Sequence, residues 1–128
     1  MKHYLTIAIL LCVPLSTYAT EPTFINMNTP EMKKAQSISI NCMINSLDKI
    51  VSGSDDVKFV VDSAASSCEK VIRDQAAMLV SSGYPKDHGR SFIRGMQEGL
   101  RKTFTNMTLQ YKALNQPEKS FSDFFFNR

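Results

Sequence analysis

The chain has 128 residues with 15 basic and 12 acidic side chains, so its formal net charge is only +3. A charge this small gives no indication of a nucleic-acid partner, and the length allows one small domain. With five glycines, five prolines and no low-complexity tract, the composition excludes fibrous and disordered proteins and is typical of a compact helical domain.

The first 19 residues (1–19) have the layout of a secretory signal peptide. A short basic start is followed by a nine-residue apolar run, Leu5 to Val13, and then by small side chains at Thr17 and Ala19. Crossing a bilayer takes about twenty apolar residues, so we expect cleavage after Ala19 rather than a membrane anchor. Residues 20–28 follow as an extended segment. No later run is long enough to span a membrane, which predicts a periplasmic or secreted protein.

Residues 29–114 predict a helical domain of three main helices. The first begins after Thr29, whose side chain can accept a hydrogen bond from a free amide, with Pro30 at the first helical position. It ends near Val51, because Gly53 readily ends a helix. Its apolar side chains share one broad face: Met32, Ala35, Ile40, Cys42, Met43, Ile44, Leu47, Ile50 and Val51.

A second helix is predicted from the capping sequence Ser54-Asp55-Asp56 to about Val80. The short connection makes it antiparallel to the first helix. Phe59 lies on its outer side. Its inner face carries the apolar residues Val57, Val60, Val61, Ala64, Ala65, Cys68, Val71, Ile72, Met78 and Leu79.

Cys42 and Cys68 are the two cysteines that remain after signal cleavage, and we expect them to form a disulfide in an oxidising compartment. Residues equally distant from the turn of a helical hairpin face each other, so position 42 faces positions 64–68. The alternatives are free thiols or a redox pair, but the spacing is far from Cys-x-x-Cys.

The third helix is predicted from Pro85 or Asp87 to about Leu114, where Pro117 follows. Its apolar stripe is Ile93, Met96, Leu100, Phe104, Met107, Tyr111 and Leu114. A separate basic strip consists of Arg90, Arg94, Arg101 and Lys112. This strip would bind an acidic protein surface or anionic lipid head groups, or would be an ordinary solvated face.

Gly95 and Gly99 stand in the interior of the third helix, where each costs about 1 kcal/mol relative to Ala. Their spacing puts both on one side, so that another helix can approach closely. Packing within the molecule and a homodimer both remain open as explanations.

The C-terminal tail, residues 115–128, is rich in phenylalanine and is predicted to form one more helical turn. Its aromatic residues are Phe121, Phe124, Phe125 and Phe126. They either cover the open end of the core or form an exposed apolar patch that meets a partner.

No catalytic, phosphate-binding or metal-binding motif is present, so the sequence predicts neither an enzyme nor a cofactor. His88 is the only histidine after signal cleavage. An enzyme with a non-standard site around Asp87, His88 and Arg90 is one alternative interpretation.

The cysteine contexts Asn41-Cys42-Met43 and Ser67-Cys68-Glu69, with the turn Ser54-Asp55-Asp56 between them, resemble those of small exported bacterial helical proteins of uncharacterised function. This resemblance implies an exported helical hairpin with one cysteine on each helix. Periplasmic immunity proteins of secretion systems and acid-stress periplasmic chaperones are similar in size, helical content and disulfide content.

Taken together, the sequence predicts an all-α bundle of three main helices with a disulfide-tied hairpin and a short C-terminal aromatic segment. We interpret it as a non-catalytic protein-binding module, of inhibitor or immunity type. The main alternative is a stress or folding factor, because seven methionines suit an adaptable apolar surface.

Overall fold

A computed structural model describes residues 29–127, so the predicted signal peptide, the segment 20–28 and the last residue lie outside the described part of the chain. Within residues 29–127 there are α-helices and no β-strand, as the sequence predicted. A 3-10 turn, Val51–Gly53, follows the first helix. The five α-helices are α1 Pro30–Ile50, α2 Val57–Ser67, α3 Glu69–Ser81, α4 Lys86–Leu114 and α5 Phe121–Phe126.

The start of α1 follows the predicted capping pattern. The Thr29 hydroxyl accepts a hydrogen bond from the Met32 amide at 3.2 Å, and Pro30 occupies the first turn. The same hydroxyl also hydrogen-bonds the Tyr84 hydroxyl. Because Tyr84 lies two residues before the start of α4, this contact brings the beginnings of α1 and α4 to the same end of the molecule.

The second predicted helix begins later than expected. It starts at Val57 rather than within Ser54-Asp55-Asp56, and the capping residue is Asp56, whose Oδ1 accepts from the Phe59 amide at 3.1 Å. The Ser54 hydroxyl instead accepts from the Asp56 amide at 3.1 Å, a turn that precedes the helix. Two capping residues compete here, and the one nearer the apolar run forms the cap.

The second predicted helix is also interrupted, contrary to the expectation of one helix to Val80. Cys68 has φ −97° and ψ 2°, which ends α2 and begins α3. The Ser67 hydroxyl donates to the Ala64 carbonyl at 2.7 Å, so a side chain competes for helical acceptors just before the break.

The helices form a bundle in which α1 and α4 are parallel. The pair α2–α3 runs antiparallel to α1 and packs against both α1 and α4. At the far end of the bundle, Val51 and Ser52 share a surface pocket with Tyr111 and Lys112. The short helix α5 packs against α1 and α4 together and covers part of the space between them.

The core contains most of the predicted apolar residues, with four corrections. Met78 and Leu114 were predicted to be core residues, but their exposed fractions are 51% and 43%. The buried side chains of α3 are Ile72, Gln75, Ala76 and Leu79, and Met78 lies beside this face rather than on it. Leu114 lies at the last turn of α4, beyond the core. Ala76 and Phe92 were not predicted to be core residues, and each is only 4% exposed. Phe59 lies on the outer side, as predicted, with 61% exposure.

Candidate functional site

The predicted disulfide between Cys42 and Cys68 is confirmed. The two Cα atoms are 5.9 Å apart, and the bond joins the middle of α1 to the junction of α2 and α3. The Ser46 hydroxyl lies 3.4 Å from the Cys68 Sγ and 3.1 Å from the Ser67 hydroxyl. Cys68 is fully buried, which is typical of a structural cross-link rather than of a reactive thiol.

Two members of the predicted basic strip form contacts within the molecule. The Arg101 Nε lies 3.3 Å from the Asp62 carboxylate, and its Nη1 donates to the Gln97 side chain at 2.5 Å. The Lys112 ammonium donates to the Ser54 carbonyl at 2.7 Å. These two cations therefore tie α4 to α2 and to the loop before α2.

The other two members of the strip are more exposed. Arg90 pairs with Asp87 one turn earlier on α4 at 3.2 Å. Arg94 pairs with no acidic side chain among residues 29–127. Arg94 is thus the strip residue that is best placed to meet an acidic partner.

Asp62 accepts from two cations on different helices. Lys58 donates to it at 2.7 Å and Arg101 approaches from α4. The hydrogen bond from Lys58 is the main cause that lowers the pKa of the Asp62 carboxyl, and Arg101 lowers it further. The same hydrogen bond is the main cause that raises the pKa of Lys58.

Gly95 and Gly99 are exposed, and a Cβ atom built on either would meet no described atom within 4 Å. Packing among the described residues therefore does not require a glycine at these positions. Gly89, which no sequence pattern marked, is different: a Cβ atom at this position would lie 3.0 Å from the Val80 Cγ2. Gly89 is the glycine at which α4 and α3 approach closely.

The phenylalanine tail covers one end of the core, which was one of the two predicted alternatives. Phe121 and Phe124 are buried, Phe125 is half-buried, and Phe126 is 63% exposed. The Phe125 ring stacks on Phe104 with centroids 5.5 Å apart and an interplanar angle of 10°. Of the four phenylalanines, only Phe126 is exposed enough for the other predicted role, an apolar patch that meets a partner.

Hydrogen bonds hold α5 on both neighbouring helices. The Asp48 carboxylate of α1 accepts from the Ser122 amide at 2.8 Å. The Tyr111 hydroxyl of α4 donates to the Lys119 carbonyl, just before α5. Burial is the main cause that raises the pKa of Tyr111, and the carboxylates of Asp48 and Glu118 raise it further.

Beside α5, the space between α1 and α4 is left as an apolar groove of about 230 Å³, which we call the α1–α4 groove. Helix α5 ends at one side of it, where Phe125 forms part of the wall. Gly95 and Gly99 line it along α4. The complete lining is Gln36, Ile40, Gly95, Met96, Gly99, Leu100, Thr103, Phe104, Met107 and Phe125.

The groove and the basic strip lie on opposite flanks of α4. Gly95 and Gly99 face α1 across the groove, whereas Arg101 and Lys112 contact α2 and the loop before it. The residues predicted to bind a partner therefore do not form one continuous surface. Gly95, Gly99 and Phe125 line the same groove, whereas the residues of the basic strip lie on the other flank of α4.

The alternative enzyme site comprises Asp87, His88 and Arg90, which lie at the start of α4. Asp87 and Arg90 are exposed and paired with each other, while His88 is half-buried beside the Tyr84 ring, with centroids 6.1 Å apart. The His88 Nδ1 has no hydrogen-bond partner among the described residues. Across residues 29–127, no group of three or more His, Cys, Asp or Glu side chains is arranged to hold a metal ion.

None of the described helices combines the length and the apolar character needed to cross a membrane. No family model, no curated protein and no solved structure matches the chain.

Proposed function

We propose that the chain is an exported, non-catalytic protein-binding module that meets its partner at the α1–α4 groove. The observation that carries this proposal is the pair of exposed glycines, Gly95 and Gly99, in the wall of an apolar groove. Each glycine costs about 1 kcal/mol of helix stability, and no described residue needs the space. A partner that approaches α4 closely would need the space beside these two glycines.

The size of the groove favours a side chain of a protein over a free small molecule. Its volume of about 230 Å³ lies below the range of about 300–1,000 Å³ that is typical of small-molecule sites. Partly buried apolar side chains, Ile40 and Met96, line it together with the half-buried Phe125 ring. Buried apolar anchors of this kind supply most of the binding energy in protein interfaces.

Export and an inhibitor or immunity role belong to the same proposal. The Cys42–Cys68 disulfide suits an oxidising compartment, and the layout of residues 1–19 is that of a signal peptide. A small disulfide-tied helical bundle that binds one partner tightly is the format of periplasmic immunity proteins.

The experiment is a pull-down with the exported, oxidised protein from the envelope and secreted fractions of its own organism, with the partner identified by mass spectrometry. Gly99→Leu fills the groove, while Ala113→Leu adds a large side chain at an exposed position of α4 outside it. We expect one stoichiometric partner that Ala113→Leu retains and Gly99→Leu loses.

Two results would contradict the proposal. A diffuse spread of unfolded clients would favour the stress or folding factor instead. Loss of the partner with Arg94→Glu but not with Gly99→Leu would place the interface on the basic strip rather than in the groove.

A further inference from the structure

We infer that the α1–α4 groove takes a short amphipathic helix of the partner protein, which inserts two large apolar side chains, best aromatic, spaced one turn apart. This inference rests on the proposed function and specifies the partner's chemistry at the same site. The alternative occupants are a second copy of the chain and a partner without a helix.

Helix α5 shows what the space between α1 and α4 accepts. It inserts Phe121 and Phe124, which are three residues apart and almost fully buried. The Phe104 ring of α4 contacts Phe121 with centroids 6.1 Å apart and stacks on Phe125. Phe104 and Phe125 also line the groove. The groove is therefore a continuation of a surface that already binds an aromatic helix.

The dimensions of the groove fit a helix that lies on it rather than one that sinks into it. Its α4 wall runs from Gly95 to Met107, about 18 Å at 1.5 Å per residue, or about three turns. The enclosed volume of about 230 Å³ is filled by a few side chains. Since Gly95 and Gly99 carry no side chain, the backbone of the bound helix can approach α4 closely.

The charged residues beside the groove favour an acidic residue between the two apolar ones. Lys33 precedes Gln36 by three residues, and Glu98 and Lys102 follow Gly95 and Gly99 by three. Residues three apart share a side of a helix, and all three charged side chains are exposed. Two cations and one anion give a weakly positive border. In α5 itself, Asp123 stands between Phe121 and Phe124.

The test uses a synthetic capped helical peptide, built on alanine, glutamate and lysine, with phenylalanines three residues apart and an aspartate between them. A matched peptide carries serine at both phenylalanine positions. Each is titrated into the oxidised, exported protein carrying ¹³C-labelled methionine methyl groups. Met96 and Met107 report on the groove, and Met78 on the exposed side of α3 is the internal control.

We expect the methyl resonances of Met96 and Met107 to shift with the phenylalanine peptide and that of Met78 to stay. The phenylalanine peptide should bind at least about tenfold more tightly than the serine peptide, as expected for removal of buried anchors. Gly99→Leu should weaken its binding at least about tenfold, whereas Ala113→Leu should leave it unchanged.

Equal binding of the two peptides, or shifts at Met78 without shifts at Met96, would overturn the inference. So would a dimer in sedimentation that Gly99→Leu dissociates, because a second copy would then occupy the groove. These failures are distinguishable from failure of the proposed function. A cellular partner that Gly99→Leu loses, together with no preference for the phenylalanine peptide, would leave the groove as the binding site and exclude only the aromatic helix.

Discussion

At the scale of single residues, the three glycines of α4 differ in what surrounds them. Gly89 is buried against α3, where a Cβ would lie 3.0 Å from Val80, whereas Gly95 and Gly99 have no described neighbour in that direction. Spacing in the sequence predicted that Gly95 and Gly99 share one side of the helix. It could not tell a packed glycine from an open one, because that depends on which helix lies opposite.

We expect Gly99→Ala to raise the free energy of unfolding by about 1 kcal/mol, because alanine has the higher helix propensity and its methyl group meets no described neighbour within 4 Å. Gly89→Ala is the matched comparison on the same helix. Gly89→Ala should raise the free energy of unfolding by less, or lower it, since the Val80 side chain has to move. Urea denaturation of both variants measures the difference, and an equal gain at the two positions would contradict it.

Tyr111 gives the protein a specific sensitivity to alkaline pH. Burial is the main cause that raises its pKa in the folded protein above the ordinary value of 10.0, so the folded state holds the phenolic proton more strongly than the unfolded state does. The resulting stability is complete below about pH 10 and is lost as the pH rises through the folded-state pKa.

Tyr111→Phe should therefore weaken the dependence of stability on alkaline pH. At neutral pH the variant should lose about 1 kcal/mol, since it lacks the hydrogen bond to the Lys119 carbonyl. The free energy of unfolding, measured in urea from neutral pH to about pH 11, tests both effects. The idea fails if the alkaline loss of stability is the same in the variant as in the unchanged protein.

At the scale of helices, local signals predicted the outer limits better than the interruption. Thr29 and Pro30 mark the start of α1, and Leu114 before Asn115 marks the end of α4. The break at Cys68 has no glycine or proline to announce it. It arises where the Ser67 side chain competes for a backbone acceptor beside the disulfide. The sequence predicted that bond but carries no local signal that the helix is interrupted at it.

The start of α2 offers a direct comparison between two capping residues. Asp56→Ala should destabilise the protein by about 1 kcal/mol, because the Phe59 amide loses its acceptor. Ser54→Ala should cost less, since its hydroxyl serves a turn before the helix. Thermal unfolding of the two variants distinguishes the observed cap from the predicted one. A larger loss with Ser54→Ala would show that the helix begins earlier.

At the scale of the whole molecule, the sequence predicted the helical bundle and the disulfide but not the groove. Cys42 and Cys68 could be paired from compartment and hairpin register alone. The groove depends on where α5 stops along α1 and α4, and the phenylalanine spacing does not contain that information. The Arg101 contact with Asp62 was also missed, because the two residues lie 39 positions apart in sequence and on different helices.

The tail should be an integral part of the fold rather than an appendage. Phe121 is fully buried, so Phe121→Ala is expected to destabilise the protein by about 3–5 kcal/mol. Phe126, at 63% exposure, is the control, and Phe126→Ala should change stability by less than about 0.5 kcal/mol. Denaturant unfolding of both variants provides the measurement. If Phe121→Ala lost as little stability as Phe126→Ala, the tail would not be part of the cooperative core.

The position of the disulfide divides the bundle into two unequal parts. Cys42 and Cys68 tie α1 to the α2–α3 junction, whereas no disulfide holds α4 or α5, which among the described residues are linked to the rest by the backbone and by noncovalent contacts. Local opening that detaches α4 and α5 therefore leaves a cross-linked α1–α3 unit, and amide hydrogens near Gly95 should exchange with solvent faster than those near Met43. A partner in the groove would bridge the two parts, so its binding should slow exchange along α4 first.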